Sequence, residues 1–217
     1  MRGGSDIDGL GQDTATFAAR VAFDPGKRAC DVMASLLLLI FFNPVLFLAA
    51  LLVRIESPGP ALFRQARGGL HGRAFKIYKL RSMRCTEDGD EIVQAQRSDD
   101  RITRVGRLIR ATSIDELPQL LNVLKGDMSL VGPRPHALAH DRYYGSRIAA
   151  YNQRFRARPG LTGLAQIRGL RGATEDLAEM AERVKSDLDY IDSWSLLSDL
   201  RIIILTVPHL LLAQNAY

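Results

Sequence analysis

Polar and apolar positions divide the chain into stretches of very different kind. From Val32 to Val53 it reads VMASLLLLIFFNPVLFLAALLV, without a charge and interrupted only by Ser35, Asn43 and Pro44. A bilayer core demands about 20 such residues, and a soluble helix seldom runs so long without a polar face. Lys27 and Arg28 precede the stretch, Arg54 follows it, and more cations come from Arg64 onward. A single crossing would put one basic flank on the disfavoured side of the membrane. Pro44, near the centre, removes a backbone bond and clashes with the turn before it. A helix that enters, bends at Asn43 and Pro44 and returns to the same face accounts for both features. An ordinary kinked spanning helix accounts for the proline alone.

The remainder alternates short strand-like and helical patterns, so the expected fold is mixed α/β and mainly helical. Residues 1–22, rich in Gly and Asp, predict a flexible leader; 23–56 predict a re-entrant membrane helix; 57–217 predict a compact folded domain on the side of the membrane to which both basic flanks return. Strand-like runs at Ala61 to Phe63 and Ala74 to Leu80, separated by Gly68, Gly69 and Gly72, predict a hairpin. Residues 87–100 are polar and predict a surface loop. Arg104, Arg107 and Arg110 recur every third position, which lines one side of a helical turn. Leu117, Leu120, Leu121 and Leu124 predict the inward face of a helix that stops at Gly126. Leu177, Met180, Val184, Leu188 and Ile191 form an amphipathic stripe, and an apolar segment from Ile202, interrupted at Pro208, predicts core packing or an interfacial helix.

Composition narrows the chemistry without choosing it. The 217 residues carry 29 Lys and Arg against 24 Asp and Glu, a net charge of +5, which suits phosphate-bearing partners. Cys30 and Cys85 have no paired spacing, so no disulfide framework is expected. His136 and His140 lie four apart without a third metal ligand in sequence. The cations gather in loops: Lys79 and Arg81 follow the glycines, Arg134 sits between two prolines in VGPRP, and Arg158 lies in RPGLTG. Such loops can be solvated basic surface or a cradle for phosphate.

Within ATSIDELPQL, Asp115 and Glu116 are adjacent carboxylates. Ser113 and Glu116 have capping-box spacing, so a plain helix start explains the pair adequately. On that reading, neither carboxylate would matter much to stability if replaced by its amide.

Five ordered blocks, KRACD, FRQARGGLHGRAFKIYKLRSM, DDRITRVGRLIRATSIDELPQLLNVLKGDMSLVGPRP, RPGLTGLAQIRG and DLDYIDSWSLLSDLRIIILTV, resemble the bacterial sugar transferases. These are monotopic enzymes that load a sugar phosphate onto polyprenyl phosphate. Within them, GLRGAT and the terminal NAY are similar to the catalytic domains of undecaprenyl-phosphate glucose phosphotransferases that initiate exopolysaccharides. The resemblance implies a member consisting of the catalytic domain alone, at the cytoplasmic face of the bacterial inner membrane. It implies a UDP-hexose donor, glucose first and galactose second, a polyprenyl phosphate acceptor, contact with membrane lipid, and Mg2+. It implies Asp115 as the nucleophile on the β-phosphorus, Glu116 as the main metal ligand with Asp115 beside it, and Arg134 and Arg110 at the phosphates. Lys79, Arg81 and Arg158 are expected to support them. A homodimer is compatible with this reading; nucleic acid is not an expected partner. Two other classes fit the charge: a membrane-tethered basic adaptor, and a metal-dependent phosphohydrolase of lipid diphosphates.

Overall fold

The computed structural model describes residues 21–84, 99–172 and 176–212. The expected leader up to position 20 and most of the polar loop lie outside them. Val21 and Ala22, placed at the end of that leader, are helical and buried, so the packed body begins earlier than the composition suggests.

Helix α1 runs from Pro25 to Glu56. Asp24 caps it by accepting from the Lys27 amide at 2.8 Å, and Pro25 occupies the first turn, where a missing N–H costs nothing. It is one unbroken helical element with Pro44 inside it, long and apolar enough to cross a membrane. Its two ends are buried and its middle is not. Lys27, Asp31 and Ser35 near the start and Ala49 and Val53 near the end are covered. Leu37, Ile40, Phe41 and Phe47 between them are each more than half exposed. At the start, Arg28 donates to the carbonyls of Val123 and Leu124 at 2.6 and 2.9 Å, and Asp31 accepts from the Leu130 amide at 3.0 Å. At the end, Ala49 and Val53 pack with Leu80 and Ile109. Both ends of α1 therefore rest on the same folded body.

That body is built on two small sheets. Strands β1 (Leu62–Gly68) and β2 (Ala74–Leu80) form the expected antiparallel hairpin, with Phe63 opposite Lys79. Helix α2 (Arg104–Ala111), capped by Thr103, leads into a 3-10 helix at Ile114–Gln119 and then α3 (Leu120–Lys125). Gly126 ends α3 with φ 90, the left-handed stop expected there. Leu120 is fully buried, but Leu121 is 40% exposed; Asn122 and Val123 take the inward positions because the 3-10 turn before α3 rotates the apolar stripe. Strand β3 (Ser129–Val131) pairs in parallel with β4 (Gly160–Thr162), giving regular structure to a segment that reads in sequence as irregular loop. Helix α4 (Leu138–Gly145) lies between them in the chain, and α5 (Leu164–Ile167) follows β4.

Helix α6 (Leu177–Asp192) buries Met180, Val184 and Ile191 as its stripe demands, while Leu177 at its first turn is 42% exposed. Helix α7 (Leu196–Leu212) contains Pro208 and places Ile202 in the core, leaving Leu197, Leu200 and Ile204 outside. Lys27 of α1 joins this end of the chain: its ammonium is 2.6 Å from the Asp199 carboxylate, which also accepts from Tyr190 and Trp194. First and last helices are thus locked to each other in the core that holds Leu120, Met128 and Ile191.

Candidate active site

Asp115 and Glu116 lie in the 3-10 turn between α2 and α3, 7% and 8% exposed. The capping box expected here does not form. Ser113 sits in the left-handed region, φ 57 and ψ 16, and its hydroxyl makes no cap bond. It accepts instead from the Arg171 guanidinium at 2.8 Å. Glu116 turns away from the helix start because stronger, charged partners lie elsewhere.

Those partners come from three separate segments. Lys79, on β2, puts its Nζ 2.9 Å from Glu116 Oε1. Arg134, from the proline-fenced loop after β3, donates through Nη2 to Oε1 at 2.6 Å and through Nη1 to Oε2 at 3.2 Å, a forked pairing. Arg171 lies close enough to act electrostatically on both carboxylates. Arg110, at the end of α2, acts on Asp115 and places a guanidinium nitrogen 4.0 Å from Met83 Sδ.

The two carboxyls are driven apart in acidity. Burial pushes Asp115 up to about 6, with the Glu116 charge adding to it and Lys79, Arg110 and Arg134 opposing it. Glu116 is held well below the usual carboxylate range: burial would raise it, but Arg134 and Lys79 outweigh that cost. Glu116 reciprocally raises Arg134. Among the described residues no hydrogen bond reaches the Asp115 carboxylate. A turn that holds one ion-paired carboxylate of lowered pKa beside one buried carboxylate that no described residue donates to can separate a charge-organising role from a reacting one.

Arg81 and Arg158 stand elsewhere. Arg81 donates to the carbonyls of Ser57 and Gly59 at 2.7 and 3.4 Å and to that of Pro58, closing the C-terminal end of α1. Arg158 donates to Gly126 at 3.0 Å and to Ala22, with its guanidinium 5.8 Å from the centre of the Phe23 ring. Both were expected to support the phosphate site, and the structure places both on backbone carbonyls, outside the ion pairs of the dyad: guanidinium forks suit clustered carbonyls as well as they suit anions, and sequence does not distinguish the two. His136 and His140 do not form a metal pair. His136 is 2.6 Å from Tyr151 Oη and 3.1 Å from an Arg154 nitrogen, whereas His140 packs edge-on to Tyr144.

Two further groups carry no expectation from sequence. Arg171 lies inside GLRGAT, where flanking glycines and a lone cation are a usable signal. Arg154 and Asp187 form a buried pair at 2.7 Å, and Arg154 also donates to the Arg134 carbonyl at 2.7 Å. Arg154 lies outside every family-like block, and Asp187, although it opens DLDYIDSWSLLSDLRIIILTV, is brought to it only by the fold.

No group of three or more His, Cys, Asp or Glu side chains able to hold a metal occurs among the described residues. Magnesium needs no such cage when one or two carboxylates bind it together with substrate phosphates and water. The all-oxygen dyad, with Asp115 not consumed by donors, fits that mode.

Residues 22–213 match the family described as bacterial sugar transferase. The chain is 64% identical over 198 residues to a UDP-glucose:undecaprenyl-phosphate glucose-1-phosphate transferase of Caulobacter vibrioides, covering 91% of this chain and 74% of that protein. It is 49% identical over 181 residues to the protein of that name from Escherichia coli, covering 83% of this chain and 39% of the relative. A UDP-N-acetylgalactosamine-undecaprenyl-phosphate N-acetylgalactosaminephosphotransferase of Aeromonas hydrophila is 40% identical over 190 residues, covering 88% of this chain and 44% of its own length.

Proposed function

The chain belongs to the bacterial sugar transferase family, and from that membership we propose that it transfers glucose 1-phosphate from UDP-glucose to undecaprenyl phosphate, releasing UMP, as the first step of exopolysaccharide or glycoconjugate assembly. The single observation that carries the reading is the divergent dyad: a buried Asp115 whose carboxylate accepts from no described residue, beside a Glu116 ion-paired with Lys79 and Arg134. Glucose is the favoured sugar because the glucose-specific names attach to relatives at 47 to 64% identity, against 40% for the N-acetylgalactosamine enzyme.

In the proposed mechanism, an Asp115 carboxylate oxygen attacks the β-phosphorus. The bond from that phosphorus to the bridging oxygen breaks, and UMP leaves with the electron pair. A lipid phosphate oxygen then attacks the same phosphorus, giving the polyprenyl diphosphate sugar and restoring the carboxylate. Attack of an anion on a diphosphate is opposed by charge unless cations surround it. Lys79, Arg134 and Arg110 supply that positive field, and Glu116 keeps Lys79 and Arg134 in place. Bound Mg2+, held by Asp115 and Glu116 oxygens with the diphosphate, would neutralise further charge on the leaving group.

The membrane geometry supports a lipid acceptor. Helix α1 has an exposed apolar middle and both ends on one body, as a re-entrant segment bent at Asn43 and Pro44 requires. Exposed Leu197, Leu200 and Ile204 on α7 suit the interface of the same leaflet. The site then sits at headgroup depth on the cytoplasmic face, where a soluble nucleotide sugar and a lipid phosphate can meet.

The test uses purified protein in detergent or nanodiscs with undecaprenyl phosphate, Mg2+ and separate UDP-glucose, UDP-galactose and UDP-N-acetylgalactosamine. UMP should be released fastest with UDP-glucose and only with the lipid present for multiple turnovers. Intact-mass analysis without lipid should show one added hexose phosphate. Release of free sugar phosphate without acceptor would favour a hydrolase; no reaction with any donor, but retained binding to anionic lipid, would favour an adaptor.

A further inference from the structure

We propose that Arg171 is a positioning residue of the transfer site, holding the Ser113 corner that sets the carboxylate dyad against Arg110. This rests on the reading of Asp115 and Glu116 as the reacting centre, and it concerns a residue outside their immediate ion pairs.

Ser113 is one of two described non-glycine residues with positive φ; the other, His71, lies in the turn of the β1–β2 hairpin. The left-handed region is disfavoured for a residue with a Cβ and persists where surrounding contacts determine it. At Ser113 those contacts run in three directions. Its amide donates to the Arg110 carbonyl at 3.1 Å, tying it to the end of α2. Its carbonyl accepts from the Glu116 amide at 3.1 Å, tying it to the dyad turn. Its hydroxyl accepts from Arg171 Nη2 at 2.8 Å, tying it to a segment 58 residues downstream. A change in the backbone at this corner swings Asp115 and Glu116 relative to Arg110, so the corner sets the geometry of the site.

Arg171 is itself anchored. Leu170 donates to the Ala165 carbonyl at 3.0 Å, Gly169 turns the chain with φ 85, and the Gly172 carbonyl accepts from Arg183 at 2.8 Å. An arginine whose backbone is held on both sides can act as a strut, and a hydrogen bond from a charged donor is strong enough to hold a disfavoured backbone conformation. The competing role is direct: Arg171 serving only as positive charge on the diphosphate.

A double-mutant cycle separates the two. Ser113→Gly keeps the left-handed corner, which glycine adopts freely, and removes the hydroxyl. In the native background, Arg171→Ala should lower kcat about tenfold or more, the size of one lost charged hydrogen bond, with little change in KM for UDP-glucose. Arg171→Lys should recover part of it. In the Ser113→Gly background, Arg171→Ala should cost far less. Amide exchange over residues 110–119, measured on folded protein without substrate, should accelerate in Arg171→Ala and return towards native in the double variant. Equal losses of kcat in both backgrounds, or native exchange at the corner in Arg171→Ala, overturn the proposal. The exchange readout needs no turnover, so a wild-type protein inactive on every UDP-sugar would refute the transferase reading while the corner was still decided.

Discussion

At the residue scale the two neighbours of the dyad answer to different physics. Asp115 is buried and its carboxylate accepts from no described residue, so its charge costs free energy in the folded state. Asp115→Asn removes that charge and should abolish both the hexose phosphate adduct and UMP release, while the melting temperature stays the same or rises by a few degrees. Retained turnover would remove Asp115 from the nucleophile's place. Glu116→Gln is a different experiment. Removing one partner of a buried ion pair leaves uncompensated charge and costs about 3–5 kcal/mol, and here Lys79 and Arg134 both lose their anion. We predict a large fall in melting temperature together with loss of activity, against the expectation from a simple helix cap that either amide would be tolerated. A stability scan alone distinguishes the two substitutions.

At the element scale, the arginines sort by what they touch. Arg81 closes α1 by donating to the Ser57, Pro58 and Gly59 carbonyls. Arg81→Ala should lower stability by about 2 kcal/mol, since hydrogen bonds to a charged donor are each worth about 1.5–3 kcal/mol and water replaces part of them. Folded Arg81→Ala protein should keep its KM for UDP-glucose, whereas Arg134→Ala should raise KM and depress kcat together. Helix α1 offers a second test. Pro44 removes one helical hydrogen bond within an otherwise continuous element. Replacing Asn43 and Pro44 with leucine restores that bond and favours a straight crossing. Part of the population should then present its N-terminus on the periplasmic side. A cysteine introduced before Val21, in a background with Cys30 and Cys85 changed to serine, reports this by labelling in intact against lysed cells. Periplasmic labelling of the unaltered helix would refute the re-entrant topology.

At the scale of the whole molecule, helices α1 and α7 are joined through Lys27 and Asp199, with side chains 6% and 10% exposed. Lys27→Met leaves Asp199 buried with only neutral donors, Tyr190 and Trp194. The predicted cost is about 3–5 kcal/mol, or a drop of roughly 6–20 °C at about 2–4 °C per kcal/mol for a domain of this size. Lys27→Met combined with Asp199→Leu should recover much of it, because a buried pair replaced by apolar groups leaves no uncompensated charge. Thermal unfolding in detergent measures both; a double variant no better than the single would show that the pair contributes more than mutual neutralisation. The join has a functional side, since it keeps the membrane helix and α7 on the body that carries the dyad.

Sequence alone determined the features that depend on local pattern. The membrane-length helix follows from 22 residues without a charge, the hairpin from its glycine-marked turn, the stop of α3 from Gly126, and the stripe of α6 from its helical spacing. It also marked Asp115, Glu116, Lys79, Arg110 and Arg134, because adjacent carboxylates and cations fenced by Gly or Pro are visible as motifs. Tertiary structure alone decided which cations face the dyad. Arg81 and Arg158 look like Arg134 in sequence, yet they are spent on carbonyls, since a guanidinium binds whichever acceptors the fold brings within reach. Arg171, Arg154 and Asp187 joined the site region through contacts 20 to 58 residues away in sequence. The left-handed Ser113 and the parallel β3–β4 pairing likewise rest on distant partners. Local propensity sets where a chain turns and which face is apolar; the charges that meet across the fold are set by long-range packing, which no window of sequence contains.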